Sequence, residues 1–250
     1  MLELFTYEIS IIEFALLIIS AMFVGMSKTG IPGAGMIAIP LMVLIFGSKS
    51  STGILLPILI FADVCAVYYY NRYANWSHLK RLLPITLLGV ILASIAGHVI
   101  SDNLFQLVMA IIIFAALGLM TWQEVSQQKA IPTSTWFVVF IGIIGGFASM
   151  IGNMAGPIMA LYLLAMRFPK NEFIGTGAWF FLCINIMKLP FHIFIWQTIN
   201  LNTLGFDLIM IPAIAIGALF GIKLVKKVPE RGFRYFVIFV TFLGAVGMVL

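Results

Sequence analysis

Apolar runs follow one another almost without interval along this chain, at 10–27, 32–46, 53–70, 82–100 and 104–121, and again at 136–151, 154–167, 172–197, 204–222 and 233–250. Most approach the roughly 20 residues that an α-helix needs to cross about 30 Å of hydrocarbon, so each predicts a membrane helix. The second run of each set, 32–46 and 154–167, is short. Each short run fits a re-entrant hairpin or a thin crossing equally well, and either returns the chain to the side it left. Both are preceded by an interruption rich in Gly, Pro and polar groups: Ser27-Lys28-Thr29-Gly30-Ile31-Pro32-Gly33-Ala34-Gly35 in one case, Ser149-Met150-Ile151-Gly152-Asn153-Met154-Ala155-Gly156-Pro157 in the other. Paired interruptions at corresponding places in two halves are a sequence pointer to a transporter binding site.

The correspondence extends beyond the interruptions. Ser27/Ser149, Gly30/Gly152, Ala38/Ala160, Gly53/Gly175 and Asp63/Asn185 share an offset of 122, and Pro84/Pro212, Gly89/Gly217 and Phe105/Phe233 share one of 128. An ordered set with a single shift reads as an internal duplication. Each half contributes an odd number of crossings, so the halves face opposite ways. The expected fold is all-α and integral to the membrane, one polytopic domain over 1–250 built from two inverted-topology repeats of about five hydrophobic segments each. Repeat 1 is 10–121, repeat 2 is 136–250, and 122–135 is a cytoplasmic linker.

Composition agrees, with 62% hydrophobic and 9% charged residues against about 25% charged in soluble domains. The formal charge of +5 does not imply nucleic acid, because the basic residues fall between apolar runs, at Arg72, Lys80 and Arg81 and at Lys223, Lys226, Lys227, Arg231 and Arg234. Such clusters mark cytoplasmic loops. They place 71–81, 122–135, 167–171 and 223–234 inside and both termini outside, with Lys49 the exception. The basic loop 71–81 corresponds to the uncharged 198–203, and the acidic turn 101–103 to the basic 223–234, a swap that inverted halves require. Glu3, Glu8 and Glu13 without Lys or Arg deny the N-terminus a signal-peptide n-region. The expectation is a multi-pass protein of the plasma (inner) membrane. Cys65 and Cys183 lie inside apolar runs and suggest no disulfide framework.

Helix ends at membrane depth must be buried in protein or line a wet cavity, and N-terminal amides with their dipole suit an anion. The first interruption nominates Ser27, Lys28, Thr29, Gly30, Gly33 and Gly35 as substrate-binding, and the second nominates Gly152, Asn153 and Gly156. The plainer alternatives are that Lys28 flanks a full crossing at the cytoplasmic surface and that the glycines serve close packing. Asp63, central in 53–70, is a candidate for pairing a cation or carrying a proton. Its repeat mate Asn185 keeps hydrogen-bonding capacity without titrating, and Lys188 and His192 follow it at helical spacing. Lys188 either binds the anion with Asn185 or neutralises Asp63. His192 is either a proton relay beside Asp63 or a hydrogen-bonded core residue. Tyr68-Tyr69-Tyr70 and Trp76 border a basic loop as an interfacial belt does.

The stretch Gly25-Met26-Ser27-Lys28-Thr29-Gly30-Ile31-Pro32-Gly33-Ala34-Gly35, running on to Pro40, resembles the N-terminal signature of the sulfite exporter TauE/SafE family. Length, duplication and segment order extend the likeness over nearly the whole chain. The resemblance implies a secondary transporter, not an enzyme, whose partners are the lipid bilayer and a small anion: sulfite, a sulfonate or a related organosulfur acid. Export coupled to protons, with the anion at the midplane between the repeats, is the leading expectation. A passive anion channel is the alternative, and an intramembrane redox enzyme using Cys65 and Cys183 a weaker one. No Walker A pattern, His-x-x-x-His or Cys/His cluster occurs, so no cofactor or metal is expected.

Overall fold

The computed structural model describes residues 2–4, 7–29, 33–125, 134–166, 168 and 170–224, with isolated positions from 235 onward. Two short antiparallel strands, β1 (Leu2–Leu4) and β2 (Tyr7–Ile9), precede the helices. The helices are α1 (Ile11–Thr29), α2 (Ala38–Phe46, entered through a 3-10 turn at Ala34–Ile37), α3 (Ser48–Tyr70), α4 (Trp76–Val99) and α5 (Asp102–Val125). They continue as α6 (Thr135–Gly152), α7 (Ala155–Ala165), α8 (Lys170–Pro190, extended by a π-helical turn at Phe191–Ile195) and α9 (Leu201–Leu224). Among the described residues, seven helices are long and apolar enough to cross a membrane, while Ala34–Phe46 is apolar but shorter. Most of the run 233–250 lies outside the described residues.

Local chemistry sets several of the starts. Ser10 and Glu13 form a reciprocal capping box, Ser10 N–H donating to Glu13 Oε2 at 2.8 Å and Glu13 N–H to Ser10 Oγ at 3.2 Å, which opens α1. Ser134 Oγ accepts from Phe137 N–H at the start of α6, and Asn200 Oδ1 accepts from Thr203 N–H at the start of α9. The hairpin before α1 was not expected, nor were two of the boundaries. α3 begins at Ser48 rather than 53, and most of the basic stretch 71–81 is helical, because α4 begins at Trp76. Apolarity marks the depth of the hydrocarbon, whereas a helix continues into the interface wherever its polar side chains reach water. Tyr68 (85% exposed) and Tyr69 stand outward there, as an interfacial belt does.

Side-chain contacts sort the helix ends into two groups. Arg81 donates to Thr135 Oγ1, Asn75 N–H to Thr176 Oγ1, and Tyr70 Oη to the Thr29 carbonyl, bringing the ends of α1 and α3 together with the starts of α4, α6 and α8. At the other group, Trp196 Nε1 donates to the Ser94 carbonyl, Lys49 lies over the Trp196 ring, Phe105 packs edge-on against Trp196 and Phe46 against Phe206. The ends of α2, α4 and α8 therefore meet the starts of α3, α5 and α9.

Small residues let backbones touch within this frame. α1 lies along α9, where a Cβ on Gly25 would collide with the Ile214 carbonyl and the Ala218 amide. α6 lies along α4, where a Cβ on Gly146 would collide with the Thr86 carbonyl and the Val90 amide. Thr86 and Ile214, like Val90 and Ala218, are 128 residues apart, the offset that relates Pro84 to Pro212. Such close approach is how helices associate where lipid supplies no hydrophobic drive.

Candidate functional site

Between these two packed pairs, α3 and α8 cross at Asp63 and Asn185. Asp63 is fully buried, and Asn185 Nδ2 donates to its Oδ2 at 2.6 Å. Its other oxygen, Oδ1, faces Lys28 Nζ at 2.8 Å. Lys28 stands in the last turn of α1, where a cation complements the negative end of the helix dipole. Its ammonium also lies 4.0 Å from the centre of the Phe181 ring, and its side chain keeps 13% exposure. The cation that meets Asp63 is therefore Lys28.

Lys188, one turn beyond Asn185 on α8, is fully buried and serves the other broken helix. Its Nζ donates to the Ser149 carbonyl at 3.0 Å and to Asn153 Oδ1 at 2.6 Å. Asn153 ends α6 in the left-handed region, with φ of 56°, a conformation that asparagine tolerates better than most residues. Its Nδ2 donates to the Thr52 carbonyl of α3 at 3.1 Å. The second break is thus pinned by one side chain that joins α6, α8 and α3. Lys28 thus reaches from the end of α1 to α3, and Lys188 from α8 to the end of α6.

The remaining expected residues are dispersed. Ser27 packs against Gly35, where an added Cβ would lie 3.2 Å from Ser27 Oγ. Gly33, with φ of 93°, makes the left-handed entry to the 3-10 turn. Thr29 is turned to α9, its hydroxyl lying 2.8 Å from the Ala218 carbonyl and 3.0 Å from that of Gly25, which share its single proton. Gly152 packs near Met154 and Met109, whereas Gly156 is exposed with open space beside it. Gly30, with Ile31 and Pro32, lies outside the described residues. His192 is buried in the π-helical turn, its Nδ1 2.8 Å from Thr198 Oγ1 and its ring 5.0 Å from Trp196, so it does not meet Asp63 directly. Cys65 and Cys183 are free thiols.

Three buried or partly buried residues that the sequence does not single out stand out in the structure, and of these only Phe181 touches the centre. Phe181 lies under Lys28. Tyr162 is buried with its hydroxyl 2.8 Å from His78 Nδ1. Asp207 is buried in α9. The signal for Asp207 is the one that marks Asp63, a carboxylate in an apolar run, but its position near the start of 204–222 reads as a span edge. Nothing in the sequence marks Phe181 among so many phenylalanines.

Among the described residues, seven apolar spans, with a buried ion pair at the end of α1 and a buried, hydrogen-bonded lysine at the end of α6, define a multi-pass helical membrane protein. Residues 17–248 match the family described as Sulfite exporter TauE/SafE, and the chain belongs to that family. No curated protein and no solved structure matches it.

Proposed function

We propose that the protein is a secondary carrier that exports a small anion, sulfite or an organosulfonate, together with protons, from a site where the ends of α1 and α6 approach α3 and α8. Membership of a family of sulfite exporters supports the transported class. The observation that carries the reading is the ion pair of Lys28 with Asp63 at 2.8 Å. Asp63 is the resident counter-ion of Lys28: protonated, it releases the ammonium to an incoming anion, and ionised, it expels that anion. One carboxyl thereby links proton occupancy to anion occupancy. Asn185 steadies Asp63, and Lys188 with Asn153 holds the second break in register.

The protein is further read as two inverted repeats with the termini outside and the ends near Arg72, Lys80 and Arg81 in the cytoplasm. The contacts of Gly25 with Ile214 and of Gly146 with Thr86, whose glycines lie 121 residues apart, one short of the offset of Ser27 and Ser149, and the bond between Asp63 and Asn185 at an offset of 122, support that arrangement. The inner membrane of the cell is the expected location.

Labelled sulfite flux into proteoliposomes, with and without an imposed pH gradient, tests the proposal. Wild-type flux follows the gradient, Lys28→Met abolishes it, and Asp63→Asn retains anion binding but loses the dependence on the gradient. Flux indifferent to the gradient and to Asp63→Asn identifies a passive channel. No flux of sulfite, sulfonates or small carboxylates through folded protein overturns the carrier reading.

A further inference from the structure

Asp207 belongs to no part of the centre described above. It sits six residues into α9, on the seam of Thr203, Phe206, Met210, Ile214 and Ala218 that packs this helix into the bundle, and it is only 5% exposed. Among the described residues, neither of its carboxyl oxygens has a hydrogen-bond partner. Among the described residues, the charged and titratable groups on the helices around α9 do not reach it. On α1, Glu13 is held by Ser10 and Lys28 by Asp63; α2 has none. On α3, Lys49 lies over Trp196, Asp63 is paired, Tyr70 donates to Thr29, and Cys65, Tyr68 and Tyr69 fall in the far half of the helix. The nearest hydroxyl on its own helix, that of Thr203 one turn earlier, is committed to Asn200. α9 reaches the end of α1 at Ala218, which accepts from Thr29, and at Gly221, which packs on Met26 and Thr29, and eleven helical steps separate Ala218 from Asp207, about 16 Å.

An ionised carboxyl removed from water without a partner is penalised far more than a neutral one. A cation would not settle it either, because alkali and alkaline-earth ions require several converging oxygens and this side chain offers only its own. We propose that Asp207 is a proton-binding site separate from the Lys28–Asp63 centre, occupied while the first turns of α9 are packed and emptied only when that end of α9 parts from its neighbours and admits water. The step is simple: a carboxylate oxygen takes a proton from the solvent on the side where α3, α5 and α9 begin, and returns it there. Proton concentration on that side then sets how readily this end of the bundle opens.

A hydrophobic carbodiimide, which reacts with protonated carboxyls, tests the proposal on the intact protein in lipid nanodiscs, with peptide mass spectrometry locating the adduct. Neither labelling nor exchange requires transport, so the result is independent of the anion. Asp207 is expected to be modified, with a rate that falls about tenfold per pH unit above its titration midpoint, while Asp63 in its ion pair is spared. In a second measurement, hydrogen exchange over 201–210, corrected for intrinsic rates, rises with pH in the wild type and is flat in Asp207→Asn. Should that variant fail to fold, labelling of the wild type still decides. Absence of an adduct on Asp207 at the lowest pH at which the protein stays folded overturns the proposal, as does a labelling rate that ignores pH. Protection by sodium at constant pH also overturns it, replacing the proton with a cation.

Discussion

Replacing Lys28 with methionine keeps most of its apolar stem while removing the charge that faces Asp63. At 2.8 Å and an effective dielectric of about 20, the direct attraction is about 6 kcal/mol, before desolvation is subtracted. Removing one partner of a buried pair costs about 3–5 kcal/mol, because the survivor stays buried without compensation. Asp63 is fully buried and retains only the Asn185 bond, so Lys28→Met belongs in that range. Asp63→Asn is milder. Lys28 keeps 13% exposure and the Phe181 ring, and a cation over an aromatic face retains about 1–2 kcal/mol. The double variant Lys28→Met/Asp63→Asn leaves neither charge and regains at least half of what Lys28→Met loses. Thermal unfolding of purified protein in a fixed detergent measures all four corners of the cycle. For a chain of this size each kcal/mol moves the midpoint by about 2–4 °C, so Lys28→Met unfolds about 6–20 °C earlier than wild type. Losses that add within about 0.5 kcal/mol would show that the two groups do not interact and would refute both the pair and the coupling built on it.

Two further predictions concern packing at the helix breaks and seams. Gly25→Ala and Gly146→Ala each destabilise by about 1–3 kcal/mol despite the better helix propensity of alanine, because the methyl meets backbone on the neighbouring helix. By contrast, Gly118→Ala, with nothing within 4 Å, is neutral or slightly stabilising in the same unfolding assay. Asn153→Gly keeps the left-handed backbone but removes the acceptor for Lys188, at a cost of about 1.5–3 kcal/mol. Asn153→Ala adds about 1–2 kcal/mol for the strained φ, and equal losses for the two variants would show that the backbone conformation is not what selects asparagine there.

The spans were legible because apolar depth is a local property: the runs 10–27, 104–121 and 136–151 are the cores of α1, α5 and α6. Helix ends were read less well at α3 and α4, where polar residues extend the helix beyond the hydrocarbon. The capping box at Ser10 and Glu13 is written in the sequence, but the hairpin before it has no comparable signal. Asp63, Asn185, Lys28, Lys188 and Asn153 stood out because polar groups are costly in an apolar run. Which of them meet was another matter. The sequence offers Lys188 as the cation that neutralises Asp63, whereas the crossing of α1, α3 and α8 gives the carboxylate to Lys28 and Lys188 to the end of α6. Thr29 reads as part of a substrate loop from its neighbours, yet its hydroxyl is committed to α9, 189 residues away.

By itself, then, the chain determined that it is a membrane protein, where its helices cross and break, and which residues carry charge or hydrogen-bonding capacity into the bilayer. These follow from hydropathy and backbone chemistry, which act over a few residues. The tertiary structure alone decided the partners: Lys28 with Asp63, Lys188 with Asn153, Thr29 with Ala218, and Asp207 with none among the described residues. Inside lipid one apolar surface is nearly as good as another, so the choice rests on where small residues let backbones approach and on which buried polar atoms can then be satisfied. Both are properties of helices brought together, and neither exists in the unfolded sequence.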